Sequence, residues 1–284
     1  MVDVLISANE LHNRLAREVG RPLVLDVRWA LGDPHGRKHF AARRIPGSVY
    51  ADLDTELAAE PTPQGGRHPL PDLEALQTAA RRWGARREAG VIVLDDNGGL
   101  SAARAWWLLR WAGVSDVRVL DGGLGAWEAA GLPVDDESAP LFEPAEGDVV
   151  LRPGRLPTLD ADEAADLART DLLLDARAGE RYRGEVEPID PRAGHIPGAI
   201  SAPTSENLTS EGVFRSAGEL RERFTDLGAK DVGAVGVYCG SGVTAAHQIL
   251  ALNIAGIDAA LYPGSWSQWS SDPERPVATG AERG

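Results

Sequence analysis

The chain has 284 residues, of which 43% are hydrophobic and 25% are charged, a composition typical of a globular protein long enough for two domains. Its formal net charge of −14 at pH 7 argues against nucleic-acid and anionic-membrane partners, since both need positive charge on the protein. The single cysteine excludes an intrachain disulfide and a cysteine-cluster metal site. No motif calls for a cofactor.

Short apolar strands and amphipathic helices alternate along the whole chain. The strands are apolar on both faces, which predicts a parallel sheet covered by helices on each side. Ser7 with Glu10 and Asp160 with Glu163 have the spacing of a capping box. We predict strands over 23–27, 91–94, 117–120, 172–175, 235–238 and 259–262, and helices over 7–19, 72–83, 101–112, 160–168, 216–227 and 243–255.

The N-terminal segment has no basic region leading an apolar core, so we expect no signal peptide and a cytoplasmic location. No apolar run approaches the ~20 residues of a membrane span.

The two halves of the chain repeat each other, which indicates two copies of one domain. We expect a first domain over 1–135, a linker over 136–157 and a second domain over 158–284. The linker region opens with an acidic, proline-bearing stretch. Four blocks match in the same order: 23–28 with 172–177, 44–48 with 195–199, 99–103 with 242–246, and 122–127 with 264–269.

Cys239 lies between a predicted strand and a predicted helix, in the segment CGSGVT at 239–244. Backbone N–H groups at such a turn favour an anion, and therefore the thiolate. A helix N-terminus stabilises an anion by up to ~2 kcal/mol, and a hydrogen bond to a charged acceptor adds ~1.5 kcal/mol. Together these contributions are large enough to activate the sulfur without a neighbouring histidine. The alternative is a buried structural cysteine. In the first copy the same position falls at Asp95 or Asp96, which predicts a catalytically silent domain.

These residues resemble the two-domain rhodanese-type sulfurtransferases over essentially the whole chain, and the active loop resembles that of the 3-mercaptopyruvate branch. The thiosulfate branch usually carries Cys-Arg-Lys-Gly-Val-Thr instead. The resemblance implies an α/β fold of two tandem rhodanese-like domains, each with a small parallel sheet flanked by helices on both faces. It also implies an active cleft at the domain interface. Cysteine phosphatases are excluded because Ala245 stands where their oxyanion-binding arginine belongs.

The resemblance implies that Cys239 attacks the sulfur of a small-molecule donor and becomes a persulfide, stabilised by the loop amides. The outer sulfur then passes to a thiol acceptor, such as a thioredoxin-like protein, or to cyanide. Arg181 matches the arginine that binds the donor carboxylate; its alternative is a surface ion pair. Ile189 stands where the branch has a second arginine, which Arg183 or Arg192 can replace. The predicted loop contacts to substrate are Gly240, Gly242, Val243 and Thr244.

Ser241 matches a serine that forms a proton relay with a histidine and an aspartate of the first domain, here His68 and Asp54. The alternative for both His68 and Asp54 is that they are exposed loop residues without a role in the relay. Because Gly240 and Ser241 carry no charge, the loop suits a monocarboxylate thiol, 3-mercaptopyruvate, better than the dianion thiosulfate. Two alternatives stay open: a thiosulfate sulfurtransferase and a non-catalytic persulfide carrier.

His195, Asp26 and Asp175 are expected to serve structural roles. His195 precedes the Ile-Pro-Gly turn, and the two aspartates end matching strands just before an arginine.

Overall fold

The computed structural model describes residues 3–17, 19–230 and 232–284. Met1 and Val2, on which part of the signal-peptide expectation depends, and Glu18 of the first predicted helix lie outside the described residues. The chain divides into two compact units. The first comprises 1–59, 71–155 and 211–213, and the second comprises 60–70, 156–210 and 214–284. None of the described helices is both long and apolar enough to cross a lipid bilayer.

The first unit contains a five-stranded parallel sheet in the order β1-β5-β4-β2-β3. Every residue of its central strand, of sequence VIVL, is buried, as expected for a sheet covered on both faces. Its elements are β1 (Leu5–Ile6), α1 (Ala8–Leu15), β2 (Leu23–Asp26), α2 (Gly36–Ala42), β3 (Val49–Tyr50), α3 (Leu53–Glu56), α4 (Leu73–Arg82), β4 (Val91–Leu94), α5 (Ala102–Trp111), β5 (Val117–Leu120) and α6 (Gly123–Ala129).

The second unit contains a four-stranded parallel sheet in the order β7-β6-β8-β9. A short 3₁₀ helix over Thr204–Asn207 follows β7. The remaining elements are α7 (Ala161–Thr170), β6 (Leu172–Asp175), α8 (Gly179–Tyr182), β7 (Ile200–Ser201), α9 (Ala217–Asp226), β8 (Val235–Tyr238), α10 (Thr244–Ile254), β9 (Ala260–Leu261) and α11 (Ser265–Ser271).

All six predicted strands and all six predicted helices are present, most of them within two residues of the predicted ends. The capping box of Asp160 with Glu163 forms in both directions, whereas Ser7 accepts the Glu10 N–H alone. Eight short elements were not predicted from the sequence: the two-residue strands β1, β3 and β7 and the short helices α2, α3, α6, α8 and α11. Such elements are too brief to show a hydrophobic period.

Arg44 and His195, which occupy matching turns in the two copies, each pair with a later segment of their own unit. Arg44 exchanges backbone hydrogen bonds with Asp135, and His195 exchanges them with Ala278. The buried His195 ring stacks on Tyr182 at 3.7 Å, and its Nδ1 lies 2.8 Å from the Tyr182 carbonyl oxygen. These contacts fit the expected structural role of His195. The Arg44 guanidinium donates to carbonyl groups of 136, 139 and 140, which holds that stretch on the first unit.

Candidate active site

Cys239 directly follows β8 and opens the five-residue loop that leads into α10. The residue is only 1% exposed. Its Sγ accepts the Gly242 N–H at 3.1 Å, so one of the predicted loop amides donates to the sulfur in the described part of the chain. Main-chain dipoles at the start of α10 add to this donor. The loop therefore holds the sulfur where a negative charge is stabilised.

Gly242 allows this approach because no other residue fits its position. Its φ is +80°, and a Cβ atom placed there would lie 2.5 Å from the Pro263 carbonyl oxygen. The next residue, Val243, is the N-cap of α10, and Thr244 is the first residue of the helix; Val243 makes no side-chain cap. Among the described residues, no hydrogen bond joins the Thr244 hydroxyl to Sγ.

Ser265 was not anticipated from the sequence. It is the one non-glycine residue with positive φ among those described, at +53°, a conformation that L-residues adopt at a cost of about 1–2 kcal/mol. Its hydroxyl accepts the Cys239 N–H at 3.2 Å and donates to the Tyr262 carbonyl at 2.9 Å. It therefore fixes the backbone of the nucleophile. The match of Ser265 with Gly123 in the repeat was the available signal.

His68 and Ser241 are brought together as predicted. The His68 Nδ1 and the Ser241 Oγ are 2.8 Å apart, and both residues are buried. Both belong to the second unit, because segment 60–70 packs with it. Asp54 belongs to the first unit, is exposed, and accepts a hydrogen bond from the Trp29 indole at 2.9 Å.

Segment 60–70 delivers His68 through a tight turn against the start of α11. The Gly66 N–H donates to the Thr62 carbonyl at 2.8 Å, and the Arg67 N–H donates to the Ser267 Oγ at 3.1 Å. Gly66 has a φ of +82°, and a Cβ there would lie 2.7 Å from both the Gly264 carbonyl oxygen and Ser267 Oγ. Glycine at this position is therefore a condition for placing His68.

Two guanidinium groups face Gly240, the residue that follows the nucleophile. A Cβ atom built on Gly240 would lie 3.0 Å from Arg67 Nη2 and 3.4 Å from Arg181 Nη1. Arg181 stands where the sequence predicted a cation, but Arg67 was not considered. Its position directly before the singled-out His68 was the signal that could have found it. The loop itself is uncharged, as expected, and neighbouring segments supply the positive charge.

Buried carboxylates hold both arginines. Arg67 forms an ion pair with Asp190, and Arg181 donates to Glu187 at 2.7 Å and to Asp190 at 3.2 Å. Burial raises the pKa of the Asp190 carboxyl, and the arginines act in the opposite direction. Arg177 also reaches Glu187, at 3.4 Å. The alternative for Arg181, a surface ion pair, is therefore not observed: its partners Glu187 and Asp190 are buried.

Arg183 and Arg192, the two candidates for the arginine absent at Ile189, are engaged elsewhere. Arg183 is 40% exposed and pairs with Glu185 at 2.8 Å. Arg192 donates to the carbonyl groups of Trp269, Ser270, Asp272 and Arg275, at the C-terminal end of α11 and just beyond it. The guanidinium groups facing Gly240 belong instead to Arg67 and Arg181.

The first unit shows what the same loop does without a thiol. Leu94 pairs with Asp26 in the register in which Tyr238 pairs with Asp175, so Asp95 is the equivalent of Cys239. The buried Asp95 carboxylate accepts four backbone N–H groups at 2.8–3.0 Å. A carboxyl group thus fills the turn in this copy; burial raises its pKa, and the four N–H donors act in the opposite direction. It is not a nucleophile for sulfur.

Comparison with known proteins agrees with this arrangement. A family model described as Rhodanese-like domain matches residues 7–130 and again 160–272. The chain belongs to the rhodanese family. A Pseudomonas aeruginosa protein provisionally named 3-mercaptopyruvate sulfurtransferase is 47% identical over 97% of this chain and 98% of its own length.

A Mycobacterium tuberculosis protein provisionally named thiosulfate sulfurtransferase SseB is 45% identical over 98% of this chain and 97% of its own length. The crystal structure of SseA from Escherichia coli, described as a 3-mercaptopyruvate sulfotransferase, superposes with a TM-score of 0.81 at 30% identity. That superposition covers 94% of this chain and all of SseA. The predicted family, fold class and sulfurtransferase activity are thereby confirmed.

Proposed function

We propose that this sulfurtransferase takes its sulfur from 3-mercaptopyruvate, carries it as a persulfide on Cys239, and passes it to a thiol or to cyanide. The second domain, over 158–284, supplies the nucleophile; the first, over 1–135, has no nucleophile of its own, and its segment 60–70, which packs with the second unit, contributes His68 and Arg67. A cytoplasmic location and a thioredoxin-like acceptor remain part of the proposal. The observation that carries the choice of donor is the 2.8 Å hydrogen bond between Ser241 and His68.

The first half-reaction forms one bond and breaks another. The Cys239 thiolate attacks the donor sulfur, an S–S bond forms, and the C–S bond breaks with its electron pair left on carbon as the enolate of pyruvate. That carbon then takes a proton and leaves as pyruvate. In the second half-reaction an acceptor thiolate or cyanide attacks the outer sulfur, and the Cys239 thiolate leaves.

The leaving group distinguishes the two donors. An enolate carbon is strongly basic and needs a proton, and a hydroxyl hydrogen-bonded to imidazole can supply it. Sulfite, the leaving group from thiosulfate, is stable as a dianion and needs none. The Ser241–His68 pair in the loop of the nucleophile therefore supports the carbon leaving group. Asp54 is proposed as the third member that orients the imidazole.

Thiosulfate is the second candidate donor. Arg67 and Arg181 at Gly240 supply two positive charges, and the relative from Mycobacterium tuberculosis carries the name of a thiosulfate enzyme. Against this donor, Glu187 and Asp190 pair with the same arginines and balance their charge. A locally neutral site favours a monoanion over a dianion.

The test compares kcat/KM for the two donors in the wild-type enzyme and in Ser241→Ala. We expect the substitution to lower kcat for 3-mercaptopyruvate about 10²–10⁴-fold, the usual contribution of proton transfer, and to leave thiosulfate turnover within about threefold. Equal losses for both donors, or a wild-type preference for thiosulfate, would overturn the proposed donor. Cys239→Ser is the control and should abolish transfer from both.

Intact-mass analysis after treatment with the donor should show a gain of one sulfur that cyanide removes; without such a gain the protein has only a binding role.

A further inference from the structure

Arg67 and Arg181 each use one terminal nitrogen for a buried carboxylate and direct the other toward Gly240. Arg67 Nη1 pairs with Asp190, and Arg67 Nη2 is the atom nearest the Gly240 Cβ position, at 3.0 Å. Arg181 Nη2 pairs with Glu187, and its Nη1 lies 3.4 Å from that position. Within the described chain, neither inward nitrogen donates to a protein acceptor.

This arrangement leaves donors available on two guanidinium groups beside the same backbone atom. The Nε atoms of Arg67 and Arg181 are buried without a hydrogen-bond partner among the described residues. Incomplete hydrogen bonding of a charged side chain is costly, so these guanidinium groups favour a bound anion that accepts from them. A planar carboxylate, with two acceptor oxygens, matches donors of this kind.

The backbone and the ion pair hold Arg67 in place. Its own N–H donates to Ser267 in α11, the preceding Gly66 packs directly on α11, and its side chain is three-quarters buried against Asp190. These contacts hold the guanidinium with its Nη2 beside Gly240, so a ligand there would meet an arginine that is already ordered.

We propose that Arg67 is the second cation that binds the donor carboxylate and takes the place of the arginine absent at Ile189. The inference rests on the proposed function, because it assigns a contact to the same donor. Arg67 and Arg181 each donate to the donor anion, while Asp190 keeps the two guanidinium groups apart and oriented. Arg67 thereby determines specificity, since it touches the part of the donor that does not react.

The experiment compares 3-mercaptopyruvate with mercaptoacetone, in which a methyl group replaces the carboxylate and the reacting sulfur is unchanged. In Arg67→Met we expect KM for 3-mercaptopyruvate to rise about 10–100-fold with kcat little changed, the loss typical of hydrogen bonds to a charged group. Mercaptoacetone should react equally well with the wild-type enzyme and the variant. Arg67→Lys should recover part of the loss. Arg169→Met, which removes an arginine that is 67% exposed, should behave as wild type.

The outcomes separate this inference from the proposed donor. An Arg67→Met enzyme with unchanged KM for 3-mercaptopyruvate, or with an equal loss for mercaptoacetone, would overturn the role of Arg67. If the wild-type enzyme uses thiosulfate alone, the proposed donor is wrong. The role of Arg67 as an anion-binding residue is then tested separately, by the KM of Arg67→Met for thiosulfate: a raised KM keeps that role, and an unchanged KM refutes it as well. Thermal melts of each variant show whether a loss reflects unfolding.

Discussion

Replacing Gly66 by alanine should damage the active site without touching any reacting group. Two costs follow from the structure. The φ of +82° places an L-residue in the left-handed region, which costs about 1–2 kcal/mol. The new Cβ would also lie 2.7 Å from the Gly264 carbonyl oxygen and from Ser267 Oγ. The turn must therefore move by about 0.7 Å to reach the 3.4 Å at which ordinary contact begins.

This displacement is passed directly to Arg67 and His68, the next two residues. A catalytic group misplaced by ~1 Å can lose about 10²-fold in rate, so we expect Gly66→Ala to lower kcat/KM for 3-mercaptopyruvate about 10–100-fold. The assay is steady-state pyruvate release, together with a thermal melt. We expect the melting temperature to fall by only a few degrees, because each kcal/mol shifts it by about 2–4 °C in a protein of this size class.

Gly228→Ala is the matched control. Gly228 has a φ of +98°, and a Cβ there meets no atom within 4 Å, so this variant carries the backbone cost without the collision. It should melt lower than wild type and keep its kcat/KM. If Gly66→Ala retained the activity of Gly228→Ala, the reasoning that this turn positions the site would be refuted.

Two further predictions concern groups next to the nucleophile. Ser265→Ala should lower the free energy of unfolding by about 1–3 kcal/mol, because the buried Cys239 N–H loses its acceptor. Ser265→Gly should lose less, since glycine accommodates a φ of +53°; equal losses in chemical denaturation would contradict this. Burial raises the pKa of Asp190, so as the pH falls the carboxyl takes up a proton and the site gains positive charge. The kcat/KM ratio of thiosulfate to 3-mercaptopyruvate should therefore rise on acidification. Asp190→Asn should show a raised ratio at every pH; a ratio that still varied in this variant would exclude Asp190 as the titrating group.

Much of the fold could be predicted from the sequence because its signals are local and occur twice. Buried strands such as β4 and β8 are continuous apolar runs, and helix starts such as Asp160 carry their own caps. The repeat also predicted the equivalent of Cys239 in the first copy to within one residue. The register of the sheet shows that the equivalent is Asp95. The sequence could not decide between Asp95 and Asp96, because register depends on pairing between distant strands that no local pattern reveals.

The site was only partly predictable, for the same reason. Cys239, Ser241 and Arg181 lie in or near recognisable motifs, whereas Arg67 acts through a turn far from them in sequence. A resemblance can suggest where a second arginine is missing, as at Ile189, but not which segment supplies a replacement. That depends on the packing of segment 60–70 on α11. Tertiary contacts of this kind leave no periodic trace.

The Asp95 turn in the first unit has a consequence for engineering. Four main-chain donors already converge there on a carboxylate, so the half of the molecule without a thiol is self-liganded: its receptor for an anion is filled by its own side chain. Introducing cysteine at that position would remove the acceptor of those four N–H groups, yet it would bring in neither a serine–histidine pair nor paired guanidinium groups. A second copy of the fold therefore does not provide a second active site. To transfer the activity, an engineered first unit would need the segments that supply the serine–histidine pair and the arginines as well as the cysteine.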